Sequence, residues 1–141
     1  MAISFAFYAD SGLTTPVSSE QLVQAADGSL SPAQVEVFFG STVAGRQARA
    51  ASNPGTDQII LSVNDSNPGG GEPASAIKLA LTQGGLAGAT GGAPLNLGTQ
   101  ILSGSGNAVP VWIQFTDSTA VVQSDSTISL QLNSVVEDAY P

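Results

Sequence analysis

The sequence predicts an all-β protein: an antiparallel β-sandwich, immunoglobulin-like or jelly-roll, of seven to eight strands in one domain over residues 1–141. Three observations predict it. Short runs of alternating apolar and polar residues recur along the chain. Gly, Pro, Asn and Asp, the residues that turns require, separate them. Hydrophobic residues make up 42%, enough for a core, so wholesale disorder is not expected.

The elements follow in order. Ile3–Ala9 is aromatic and apolar and stops at Asp10-Ser11-Gly12. In Gln34–Gly40, Val35, Val37 and Phe39 take one face, Glu36 and Phe38 the other. Arg46–Ala51 reads as a short edge strand, with Arg46 and Arg49 guarding the edge. Gln58–Asn64 aligns Ile59, Leu61 and Val63; Ala76–Thr82 aligns Ile77, Leu79 and Leu81, with Lys78 outward. Leu95–Ile101 is one alternating run with Gly98 as a bulge. Ala108–Phe115 holds the sole Trp, Trp112, and its Pro110 argues for an edge position or a strand start. Thr127–Val136 alternates most clearly, with Ile128, Leu130 and Leu132 inward. Ser18–Ala26 is ambiguous. Ser18 and Gln21 match a capping box, while a strand ending at Asp27-Gly28 is equally good and agrees with its neighbours.

Charge narrows the partners. The net charge is −8, and Arg46, Arg49 and Lys78 are the only cations. Nucleic acid and anionic membranes both require a basic footprint, so neither is expected as a partner. A basic protein surface is permitted. Only 10% of residues are charged, against a usual quarter, so the polar surface is neutral and readily desolvated. The N-terminus has no basic region followed by a long apolar run, and no stretch approaches a membrane span. A soluble protein made in the cytoplasm is expected.

Catalysis has few candidates. With no His and no Cys, catalytic triads, imidazole acid–base work and the usual zinc sites are ruled out. A glycosidase needs two carboxylates facing each other roughly 5–9.5 Å apart. The acids here, Asp10, Asp27, Asp57, Asp65, Asp117 and Asp125 among them, sit mostly in turns, where Asp is a turn former. Asn64-Asp65-Ser66-Asn67 with Glu72 offers oxygen ligands for a calcium ion, but an ordinary hairpin connection uses the same residues. The Gly-rich stretch Thr82–Gly92 lacks the Lys of a phosphate loop, and a strand rather than a helix follows it. No cofactor, metal or small-molecule substrate is expected. Gly84, Gly85 and Leu86 are instead candidates for a contact loop. Tyr8 and Tyr140, near the two ends, are candidate anchors for a neighbouring subunit.

The run Phe7-Tyr8-Ala9-Asp10-Ser11-Gly12-Leu13-Thr14-Thr15-Pro16-Val17 resembles the opening of small β-sandwich virion proteins of tailed bacteriophages. Ala93-Pro94-Leu95-Asn96-Leu97-Gly98-Thr99, then Val109-Pro110-Val111-Trp112-Ile113, and the closing Ile128–Leu132 with Val135-Val136-Glu137 are similar in style. The resemblance implies a non-enzymatic capsid decoration (cement) protein on the outer surface of a phage head. Its partners would be the major capsid protein and sister copies. Tail or baseplate placement is the close variant. A glycan- or receptor-binding immunoglobulin-like module is the other reading. Open edges at Ile3–Ala9 and Arg46–Ala51 would permit strand addition.

Overall fold

Period-two alternation is realised throughout the computed structural model, which describes residues 3–17, 33–66, 74–115 and 128–140. The ambiguous Ser18–Ala26 segment lies outside the described residues, as do Asn67–Pro73 of the proposed cation loop. The strands are β1 (Ala6–Tyr8), β2 (Ala33–Gly40), β3 (Arg46–Ala50), β4 (Ile59–Asp65), β5 (Ile77–Ala80), β6 (Leu95–Gly98), β7 (Ile101–Leu102), β8 (Val109–Phe115), β9 (Ile128–Leu132) and β10 (Val135–Ala139). Three short 3-10 turns, η1 (Ala74–Ala76), η2 (Gly84–Gly88) and η3 (Ser105–Asn107), lie between them.

Among the described residues all pairings are antiparallel and form three sheets, ordered β1-β2-β8-β5, β10-β3-β7 and β6-β4-β9. The two three-stranded sheets share a logic. β6 runs on into β7 and β9 into β10, while β3 is followed by β4 at the centre. Together they make one long, interrupted layer opposite the four-stranded sheet. Among the described residues the strand count is therefore ten rather than seven or eight, because two predicted runs, Leu95–Ile101 and Thr127–Val136, each break and pair with two successive strands.

Each break has a chemical cause. At Gly98, φ is +113°, a conformation that disfavours any Cβ, and the register slips between Ile59 and Ile60. The predicted bulge is there. The Gln58 carboxamide oxygen accepts from the Gly98 amide at 3.0 Å, so the lost ladder bond is replaced. On the other flank Asn133 fills the gap. Its Oδ1 accepts from the Ile60 amide at 2.8 Å and its Nδ2 donates to the Gln58 carbonyl at 3.0 Å. These bonds satisfy backbone groups that would otherwise be stranded at the interruption.

The core lies between the layers. Phe5, Val37, Phe39, Ile77, Leu79, Val111 and Ile113 enter from the four-stranded sheet. Ala48, Ala50, Ile59, Leu61, Leu97 and Ile101 meet them from the other. Ile59 and Leu61 are fully buried, and each contributes about 1.5–3 kcal/mol by leaving water. The Phe39 ring is tilted against Phe7, with centroids 4.9 Å apart, and against Phe5 at 6.0 Å. Leu81 departs from its predicted inward place: β5 ends at Ala80, and Leu81 is exposed.

Two edge assignments are corrected. Arg46–Ala50 is not an edge strand; β3 lies between β10 and β7. Ala48 and Ala50 are fully buried, and such small side chains suit a central strand close to the opposite sheet. β1 stands at the end of its sheet, but the returning chain covers it. The Val17 amide donates to the Phe7 carbonyl at 3.0 Å and the Ala9 amide to the Thr15 carbonyl at 2.8 Å. β8 is interior as well, and Pro110 is tolerated near its start, before β8 meets β5.

Candidate binding face of the four-stranded sheet

Strand parity decides which side chains the four-stranded sheet turns away from the core. Val35, Val37 and Phe39 pack inward, so Gln34, Glu36 and Phe38 point outward. By the same alternation β1 presents Tyr8, β8 presents Pro110, Trp112 and Gln114, and β5 presents Lys78 and Ala80. Register assembles them into rows. Tyr8 lies opposite Phe38, and Phe38 opposite Pro110. In the next row Glu36 lies opposite Trp112, and Trp112 opposite Ala80. In the third, Gln34 and Lys78 flank Gln114. Directly opposed residues have Cβ atoms about 4.5–5.5 Å apart, so these side chains are neighbours.

The two ends of the face are walled. At one end the hairpin over residues 9–16 leans on it. Leu13 is buried, and a Cβ on the outward Gly40 would stand 3.0 Å from its Cδ1. Asp10 ties this hairpin together. Its carboxylate accepts from the Thr14 hydroxyl at 2.6 Å and from the Thr14 and Thr15 amides. The hydroxyl bond, then the Thr15 amide, hold the Asp10 carboxyl below the usual 3.8 despite some desolvation. At the other end η2 folds over β5. A Cβ on Gly85 would meet the Ala80 Cβ at 3.2 Å, and Gln83 donates to the Gln34 side chain at 2.9 Å. Leu86 is buried outside the main core cluster, beneath this turn. Between the walls Tyr8, Phe38, Pro110 and Trp112 are each half-buried.

The candidate contact residues divide between the two layers. Tyr8 stands on the outward face, and Gly84 and Gly85 are exposed in its η2 wall. Leu86 is only 1% exposed, so its side chain holds that wall in place and is not itself presented. Arg46, Arg49 and Tyr140 lie on the other layer. Both arginines bond inside the protein: Arg46 Nε to Glu137 at 3.0 Å, and Arg49 to Asp138. They guard no edge; they fasten β3 to β10.

Glu137 is the centre of a network joining the two chain ends. Oε1 accepts from the Ser4 amide and hydroxyl, each at 2.7 Å, while Oε2 faces Arg46. The single hydrogen of the Ser4 hydroxyl is then committed, so the fully buried Ser41 donates to Ser4 Oγ across 2.6 Å. Desolvation pushes the Glu137 carboxyl up, but the two Ser4 bonds and Arg46 outweigh it and hold it below 4.5. Ile3, Val43 and Tyr140, all exposed, are each within a few residues of this network.

Four of the described carboxylates make structural bonds. Besides Asp10, Glu137 and Asp138, Asp57 accepts from the Ser52 hydroxyl at 2.8 Å. Asn64 and Asp65 belong to β4 and not to a loop. Among the described residues no three His, Cys, Asp or Glu gather, and no helix is long and apolar enough to cross a membrane. Comparison with models of known families, with curated proteins and with solved structures finds no match to this chain.

Sequence reasoning set Glu36 and Phe38 on the face opposite Val37 but assigned neither Phe38 nor Trp112 to the outer side and did not join them. The signal was their alternation with Val37; the missing information was the register of β2 on β8.

Proposed function

We propose that this protein is a non-enzymatic adhesive module of a phage virion, in the first instance a decoration protein on the outer surface of the head. One observation supports this reading above the others. The four-stranded sheet turns three aromatic rings and a proline away from the core, in adjacent rows, between two walls. A sheet with one face on a core ordinarily gives its other face polar residues. An outward cluster of Tyr, Phe and Trp is the composition of an interface hot spot. The low charge makes such a face inexpensive to desolvate. Many copies on a shell would multiply modest contacts through avidity.

The test is co-sedimentation with expanded heads that lack the protein. Saturable binding, weakened by Tyr8→Ala and Phe38→Ala, is the expected result. Absence of binding at every salt concentration overturns the head assignment. The same aromatic face favours a second reading, a glycan- or receptor-binding module, for which a glycan array is the direct assay.

A further inference from the structure

Among the outward residues of the four-stranded sheet, Glu36 stands apart. It is half-buried, and no salt bridge or hydrogen bond reaches its carboxylate among the described residues. Its cross-strand neighbour is Trp112, with Phe38 next along its own strand and Tyr8 beyond. The cations of the chain are elsewhere. Arg46 and Arg49 are paired within the other layer, and Lys78 is two strands away and one row off. An unpaired carboxylate beside an indole ring offers two attractions to a positive charge. The carboxylate draws a cation by charge and accepts its hydrogen bonds. An aromatic face attracts a cation lying within about 6 Å of its centroid. Both attractions act on the same ligand group.

We propose that Glu36, Trp112 and Phe38 form a seat for the guanidinium or ammonium head of an Arg or Lys side chain on a protein partner. This rests on the adhesive reading above and names the chemistry of its partner. The carboxylate supplies charge and hydrogen-bond acceptors, and Trp112 supplies a ring for the planar head to lie upon. Gln34 and Gln114, whose side chains are joined at 2.9 Å, form a polar rim beside the seat. A neutral sugar would stack on the ring and donate hydroxyl hydrogen bonds to Glu36 but leave its charge unneutralised. A second copy would itself approach with a net charge of −8.

Trp112 is the only tryptophan, so its fluorescence reports on the seat directly. The experiment titrates the whole protein with hexa-arginine, with cellohexaose as the neutral comparison, and follows light scattering over a concentration series. The expected result is a saturable change with hexa-arginine and none with cellohexaose. Glu36→Gln should weaken binding about ten-fold, the scale of losing one charge-assisted hydrogen bond. Asp57→Asn removes the same charge from an exposed turn and should leave affinity unchanged. Trp112→Phe, followed by calorimetry, should retain part of the affinity and Trp112→Leu little. Equal weakening by Glu36→Gln and Asp57→Asn, a response to cellohexaose alone, or quenching that tracks only self-association would each overturn the seat. Hexa-arginine binding of the expected pattern without binding to heads leaves the seat standing and rejects the head assignment. Head binding that is indifferent to Glu36→Gln does the reverse.

Discussion

Glu137 accepts two hydrogen bonds from Ser4, one from the amide and one from the hydroxyl, each 2.7 Å long. These residues lie 133 positions apart, and their contact ties the segment before β1 to the final strand. The same carboxylate holds Arg46 of β3, so one side chain joins both layers of the sandwich.

Acid should therefore loosen the fold in a defined way. Glu137 and Asp10 are both held below their ordinary values of 4.5 and 3.8. The unfolded chain takes up protons first, so the stability these groups add is complete above those values. It is lost as pH falls through the lower native values. The midpoint of urea unfolding should fall between pH 6 and pH 3, by an amount reduced in Glu137→Gln and reduced again with Asp10→Asn. Glu137→Ala should cost about 1–3 kcal/mol at neutral pH, because it strands the Ser4 and Arg46 donors.

Asn133 should be among the least replaceable polar residues. Asn133→Ala removes the partners of the Ile60 amide and the Gln58 carbonyl together and should cost about 2–4 kcal/mol by denaturant titration, taking about 1–2 for each stranded group. Asn133→Asp keeps the acceptor for Ile60 but loses the donor to Gln58, and its loss should be smaller.

Two glycines in neighbouring turns should respond differently to alanine. A Cβ on Gly91 would lie 2.0 Å from the Ser75 carbonyl oxygen, a backbone atom that cannot rotate away. Gly91→Ala should cost about 1–3 kcal/mol, the range for forced repacking. Gly88 has open space around its missing Cβ, and Gly88→Ala should be neutral within about 0.5 kcal/mol. Thermal unfolding of the two variants compares them directly.

Leu86→Ala should destabilise the η2 wall. The side chain is 1% exposed but stands apart from the main core, so the loss of about 2–4 kcal/mol expected for a buried Leu should be concentrated there. Hydrogen exchange should speed up at Gly85, Leu86 and Ala89, whose amides close that turn, before it does in β2 and β8.

Much of the fold was legible in local pattern. The inward faces of Gln34–Gly40, Gln58–Asn64 and Ile128–Leu132 could be read by alternation, because side chains on a strand switch sides at every residue. The turn residues marked where strands stop, and Gly98 announced its bulge. Arg46–Ala51 misled because a positive charge signals an edge only when it faces solvent; here Glu137 and Asp138 answer it from β10. Leu95–Ile101 and Thr127–Val136 each looked like one strand because alternation continues across a break that only the pairing partner creates.

By itself the sequence determined the all-β class, the sides of most strands, and the absence of histidine and cysteine from its chemistry. Each of these follows from residue identity or from neighbours within a few positions. Tertiary structure alone decided strand order, the joining of two sheets into one long layer, and the row that sets Glu36 beside Trp112. The physical reason is that register depends on hydrogen bonds between backbones far apart in the chain. A slip of one residue would have reversed every face while leaving the sequence pattern unchanged.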